Sequence, residues 1–272
     1  MMPLDLFRTA IQQVAPLTEQ VCFHLMGDPL VHPHLHEMVE ICHEYGARIF
    51  FVTNGVLLKE KQSELLLHPA FRQVNFSLHS FNDNFPGRDP SSYLEKIFSF
   101  CEKAFVLRPD LYINFRLWNL KDPRGALTQN HDFLQRIFDR FQISLEPKVD
   151  VRFKKNLHLK QRLYLHFDTE FVWPAMDLPT LGSLGTCYGL SSHFGILVDG
   201  TVVPCCLDKE GAIPLGQIQQ QPVLEILNSA RAQAVLEGFR QKKLVENLCQ
   251  RCQYITRFKK PLQTLRGGNP TT

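Results

Sequence analysis

The stretch QVCFHLMGDPLVHPHLHEMVEICHEYGARIFFVTNG, from Gln20 to Gly55, reads as strand, turn, helix and strand in succession. Residues 20–26 and 47–53 are rich in Val, Ile and Phe, the composition of buried strands. Between them Leu35, Met38, Val39 and Cys42 recur at the spacing of one helical face. Two strands joined in this way form the repeating unit of a parallel α/β sheet wound by right-handed crossovers.

The same rhythm continues outward. Residues 72–80, 111–118 and 141–149 read as further strands, and residues 57–67, 91–106 and 130–140 as the helices between them. Near-continuous apolar runs suit strands covered on both faces. The predicted fold is therefore α/β, either an open sheet or a barrel. No GxGxxG follows a strand, which excludes the dinucleotide-binding variant. Residues 166–185, with their prolines and glycines, read as a linker from a first domain (1–165) into a smaller one (186–272).

A chain of 272 residues, 44% hydrophobic and 21% charged, supports a large core. The net charge of +3 gives no basis for nucleic acid as a partner. Lys148, Arg152, Lys154, Lys155, Lys160 and Arg162 crowd one stretch, read as a solvated strand-and-loop surface or a contact for a phosphate-bearing or acidic substrate. No apolar run reaches the roughly 18 residues of a membrane span, and the N-terminus lacks a secretory pattern, so the expected location is the cytoplasm and not a membrane. In that compartment eight cysteines point to metal binding or catalysis rather than disulfides. Cys22, Cys42 and Cys101 stand singly among apolar residues and read as core packing. His32, His34 and His36 fall on different helical faces and read as surface or pocket-rim residues.

The run HFGILVDGTVVPCC (193–206) reads as a hairpin turning at Asp199-Gly200, a pair suited to a type I′ turn. Folding about that turn brings Cys205 toward Cys187, and strand alternation allows only one of Cys205 and Cys206 to face the same way. Downstream, Cys249 and Cys252 share a two-residue gap. The four thiolates Cys187, Cys205, Cys249 and Cys252 suit a structural zinc or an iron–sulfur cluster. Only one tight Cys-x-x-Cys knuckle is present, which favours the cluster.

These cysteines, with LGQI (215–218) and LEILNS (224–229) between them, resemble the auxiliary-cluster module of radical S-adenosylmethionine (SAM) enzymes, called SPASM or, in its one-cluster form, twitch. Upstream, MGDPLVHP (26–33) is similar to the family's GGEP motif, FVTNG (51–55) to its third-strand signature, and FSLHS (76–80) to its fourth-strand segment. Met26 replaces the motif's first glycine and Asp28 its glutamate. The resemblance implies a partial (β/α)6 barrel without its first strand, followed by a small α+β cysteine-rich domain. It implies that Gly27, Asp28, Pro29, Thr53 and Asn54 bind SAM, with Ser77 and Arg116 toward its ribose or carboxylate. It also implies one auxiliary [4Fe–4S] cluster on Cys187, Cys205, Cys249 and Cys252. Such a cluster accepts an electron from the substrate radical or helps to position the substrate. Phe258 occupies a position where the full SPASM pattern has further cysteines.

Radical SAM chemistry needs a second [4Fe–4S] cluster on Cys-x-x-x-Cys-x-x-Cys, and the 272 residues contain no such triplet. The segment MMPLDLFRTAIQQV resembles the helix after that loop, with Leu6, Phe7, Ala10, Ile11 and Val14 as its stripe. The expectation is that the triplet lies upstream of Met1. With it, the protein is an oxidoreductase or maturase that abstracts hydrogen through a 5′-deoxyadenosyl radical. Its substrate is then a peptide, a protein or a small molecule, and its electron donor a flavodoxin or ferredoxin. Without it, the chain does not cleave SAM and no catalytic residue is assigned. The competing expectations are a degenerate relative, a scaffold with a four-cysteine zinc site, and an ordinary α/β enzyme with incidental cysteines.

Overall fold

Six strands form the principal sheet of the computed structural model, which describes residues 1–122, 125, 130–144, 155–170 and 172–258. They are β1 (Gln20–Phe23), β2 (Arg48–Thr53), β3 (Phe71–Ser77), β4 (Tyr112–Leu120), β5 (Asn156–Lys160) and β6 (Leu163–Thr169), in the order β1-β2-β3-β4-β6-β5. All neighbours pair in parallel except β5, which runs antiparallel to β6. The helices are α1 (Leu4–Val14), α2 (Leu35–Glu44), α3 (Glu60–Leu65), α4 (Ser80–Asn84), α5 (Ser91–Leu107) and α6 (His131–Phe141).

The chain divides into two compact units. The larger is Met1–Glu170 with Ile196–Gly200 and Ile218–Val223, and the smaller is Phe171–Gly195, Thr201–Gln217 and Leu224–Thr272. The expected domain edge at residue 165 falls inside β6, whose pairing with β4 runs on to Thr169. The remaining elements are short strands β7 (Gly195–Ile196), β8 (Thr201–Val203) and β9 (Gly216–Gln217), then α7 (Val223–Leu227) and α8 (Ala230–Arg240).

The strands are not apolar on both faces. Phe51, Phe71, Phe76, Phe115 and Phe167 are fully buried, and helices cover them through ring contacts such as Phe76–Phe100 and Phe98–Phe115. Burial of a phenylalanine side chain stabilises by ~1.5–3 kcal/mol, so this face carries most of the larger unit's cohesion. The opposite face is half-buried and mixed. Tyr112, Asn114, Arg116 and Trp118 alternate along β4 with the buried Ile113, Phe115 and Leu117. Asn75 is the buried hub there, donating to Phe51 O at 2.8 Å and accepting from Gln73 and Asn114.

α1 buries the expected stripe of Leu6, Phe7, Ala10, Ile11 and Val14. Phe141 ends α6 rather than opening a strand, because Gln142 turns into the left-handed region at φ +55°. The rest of the expected 141–149 strand, from residue 145, lies outside the described residues, as do Lys148, Arg152 and Lys154. Among the described residues no helix is long and apolar enough to cross a membrane.

Candidate functional site

One candidate site lies in the larger unit at the C-terminal ends of β1, β2, β3 and β4, where parallel α/β sheets present ligands. After β1 the chain turns through Gly27 at φ +80°, a conformation glycine adopts freely. Asp28 then caps the single turn Pro29–Val31, accepting from Leu30 N at 3.0 Å. Its carboxylate also accepts from Thr53 Oγ1 at 2.8 Å and Asn54 N at 2.7 Å, binding the exit of β1 to the exit of β2. Thr53 Oγ1 in turn accepts from Gly55 N, and Tyr93 donates its hydroxyl to Asn54 O. The GDP and TNG segments are thus one connected network within the larger unit.

Ser77 and Arg116 are register partners on β3 and β4. The Arg116 guanidinium lies 4.4 Å over the Trp118 ring and 5.4 Å over that of Phe50. Burial lowers its pKa to about 10. Cys22, on β1, is exposed and not part of the core, unlike the buried Cys42 and Cys101. Desolvation raises its thiol pKa, with Arg116 acting the other way.

A separate candidate site belongs to the smaller unit. Cys187, Cys205, Cys249 and Cys252 line one pocket, together with Pro174, Leu207, Phe239, Leu248 and Ile255. Three local devices gather them. The segment after Cys187 passes tightly against the Cys205 segment: a β-carbon at Gly189 would stand 3.1 Å from Pro204 O and 3.7 Å from Cys205 Cβ. Asp208, wholly buried, accepts from Ala212 N at 2.7 Å and Ile213 N at 2.8 Å, tying off the loop that follows Cys205. Cys249–Arg251 forms one 3-10 turn, with Cys252 N donating to Cys249 O, which stacks the two sulfur-bearing residues on one side. Upstream of that turn, Glu246 holds Arg231 through two bonds of 2.8 and 3.0 Å.

The expected hairpin geometry is revised here. The turn spans Leu197–Gly200, closed by Gly200 N to Leu197 O, and among its residues only Gly200 has positive φ. It is therefore not a two-residue I′ turn. Cys205 and Cys206 lie beyond β8 in a bend, so strand alternation does not govern them. Cys205 lines the pocket and Cys206 does not.

Burial raises the pKa of Cys205 to about 12 and pushes Cys249 and Cys252 upward, with the neighbouring thiols adding to each shift. Burial of this kind disfavours thiolates, and the positive charge of an iron–sulfur core would reverse that. The donor set, four thiols among apolar walls, fits such a cluster. Among the described residues no three His, Cys, Asp or Glu side chains gather closely enough to hold a single metal ion.

Comparison with known proteins assigns the class. Residues 1–116 match the radical SAM superfamily, and residues 187–253, which include all four cysteines, match an iron–sulfur cluster-binding domain, SPASM. The chain thus combines a radical SAM domain with a SPASM domain. It is 23% identical over 287 residues to an AdoMet-dependent heme synthase of Methanosarcina barkeri, covering 90% of this chain and 77% of that one. Its fold resembles BtrN in complex with AdoMet and 2-DOIA (TM-score 0.56, 18% identity, 93% of this chain and 80% of that one). It also resembles anSMEcpe with bound AdoMet and a Cp18Cys peptide (0.56, 14%, 93% and 79%) and Streptococcus suis SuiB bound to S-adenosylmethionine (0.55, 16%, 95% and 67%).

Sequence reasoning missed Trp118 and His166, which share the open sheet face with Arg116. Their signal was the polar alternation within the β4 and β6 runs.

Proposed function

We infer that this chain supplies the SAM-binding sheet and the auxiliary-cluster domain of a radical SAM oxidoreductase or maturase. The observation that carries the reading is the convergence of Cys187, Cys205, Cys249 and Cys252, from three separate segments, on one apolar pocket. A single tight Cys-x-x-Cys knuckle, with the other two thiols brought in from dispersed loops, favours a cluster over a structural zinc.

In the larger unit, the network through Asp28, Thr53 and Asn54 fixes the two strand exits, so Gly27, Pro29 and the adjoining backbone present their polar groups toward SAM. Asp28 differs from a free carboxylate: Leu30 N, Thr53 Oγ1 and Asn54 N already occupy its oxygens. Its role is positioning. Ser77 stands on the rung beside Arg116, where the ribose of SAM would be received. SAM with a reduced cluster supplies a 5′-deoxyadenosyl radical for hydrogen abstraction. The residues described here bind, orient and shield. A flavodoxin- or ferredoxin-class protein is the expected electron donor.

Purification without oxygen, followed by iron, sulfide and zinc analysis, tests the smaller unit. About four irons and four sulfides per chain, lost in Cys249→Ser/Cys252→Ser, are expected. One zinc without sulfide overturns the cluster reading. Equilibrium dialysis with SAM tests the larger unit, where Gly27→Val should abolish binding.

A further inference from the structure

Among the described residues, three nitrogen-bearing side chains on the half-buried face of the principal sheet find no acceptor for the hydrogens they can donate. Arg116 has five N–H donors, stacked over Trp118 and Phe50, and its guanidinium meets no carboxylate or hydrogen-bond acceptor among the described residues. Trp118 Nε1 is buried without a partner among the described residues. His166 is the register partner of Arg116 on β6, and its ring stands 6.3 Å from that of Trp118. Its imidazole also makes no hydrogen bond among the described residues.

The nearest acid cannot complete this set. Asp168 pairs with Lys155 at 3.2 Å and accepts from Thr169 N at 2.9 Å. One half-buried cation and one buried indole N–H are therefore left over. Each is costly unless a ligand satisfies it, by about 1–3 kcal/mol for the N–H alone. A carboxylate answers both: one negative charge for one unpaired cation, and two oxygens for donors on neighbouring residues. A phosphate dianion would bring more charge than the patch offsets.

SAM also carries a carboxylate, but its position argues against that source for Trp118 and His166. The amino and carboxylate groups of SAM share one carbon, and the amino group belongs near the exits of β1 and β2. His166, on β6, lies four strand spacings along the sheet from β1, about 19 Å at 4.8 Å each. Arg116 alone reaches back toward β2, as its contact with Phe50 records. We propose that the substrate carries a carboxylate, received by Trp118 Nε1 and His166 with Arg116 supplying the charge. This rests on the reading of the larger unit as a radical SAM sheet.

The chain has two tryptophans, so Trp173→Phe leaves Trp118 as the sole tryptophan, read by excitation that tyrosine does not absorb. The full chain with that substitution is titrated with propionate at constant ionic strength, and in parallel with propionamide, its neutral isostere. Propionate should change the emission saturably and propionamide should not. Arg116→Gln should weaken propionate at least tenfold, and His166→Phe severalfold. Should Arg116→Gln fail to fold by circular dichroism, Arg116→Lys, which keeps charge but loses the fork, takes its place with the same direction. Equal responses to the two probes, or an unchanged affinity in the arginine variant, overturn the proposal. Saturating SAM separates the sources: a propionate affinity unchanged within about twofold supports a substrate site, and competitive loss assigns the patch to SAM and overturns it. If SAM does not bind at all while propionate does, the radical SAM reading fails and the carboxylate site stands.

Discussion

The Asp28 carboxylate and the Thr53 hydroxyl meet at 2.8 Å, fastening the end of β1 to the end of β2. The same carboxylate oxygen takes Asn54 N at 2.7 Å, so one side chain sets the backbone of both motif segments. Asp28→Ala strands these donors, at a cost of about 2–3 kcal/mol. A urea titration of the metal-free protein should show a lower midpoint with unchanged slope, and SAM affinity should fall. A midpoint equal to that of the parent would show that the clasp is not needed.

Gly55 follows directly. It sits at φ +76°, and a β-carbon there would stand 2.9 Å from Ile97 Cδ1 and 3.2 Å from Phe76 Cδ1. Gly55→Ala combines backbone strain with overpacking, each worth about 1–3 kcal/mol. Its melting temperature should drop by several degrees, and a drop of under one degree would contradict the packing described.

Asp208 offers a test of the cysteine pocket that touches no sulfur. Asp208→Ala removes the acceptor of Ala212 N and Ile213 N, both beside the Cys205 loop. Iron incorporation should fall, though less than in Cys205→Ser, while the circular dichroism spectrum stays that of the parent. Full incorporation would mean that the loop keeps its shape without the carboxylate.

Stability should fall in mild acid. Burial lowers the pKa of His79 and His166 below the ordinary histidine value, so the unfolded chain binds protons that the folded chain resists. Below the unfolded pKa of about 6.5 the unfolded state therefore carries more protons, and unfolding free energy declines as pH drops. The urea midpoint at pH 5.5 should lie below that at pH 7.5, and the gap should narrow in His79→Gln. His79 Nδ1 lies 3.0 Å from Arg116 O and 3.3 Å from Trp118 N, so this variant also loosens β4. Only the narrowing, not the absolute midpoint, bears on its titration.

Much of the larger unit was legible in the sequence because its signals are local. Leu35, Met38, Val39 and Cys42 mark α2, and the Val- and Phe-rich runs mark β1 to β4. Residues 155–170 were misread. Asn156, His158 and Lys160 expose polar side chains on an edge strand, which looks like a solvated loop, and β6 continues past the expected boundary. β6 is set by its distant parallel partner β4, and β5 by folding back antiparallel onto β6. The cysteine set was legible by count and spacing, but the means of gathering it was not. Gly189, Asp208 and the 3-10 turn at Cys249 act through contacts no spacing rule encodes. Cys22 was assigned to the core because its neighbours are apolar, yet it lies on the opposite face of β1 from the buried Phe23.

The close passage at Gly189 bears on how related chains should be screened. A search that counts four cysteines at these intervals accepts any residue between them, whereas a side chain at 189 must push against Pro204 O at 3.1 Å before the sulfurs can assemble. A homologue with all four thiols and a branched residue at 189 should fail to mature its cofactor. A fingerprint that includes this glycine therefore separates working centres from look-alikes better than the thiols alone.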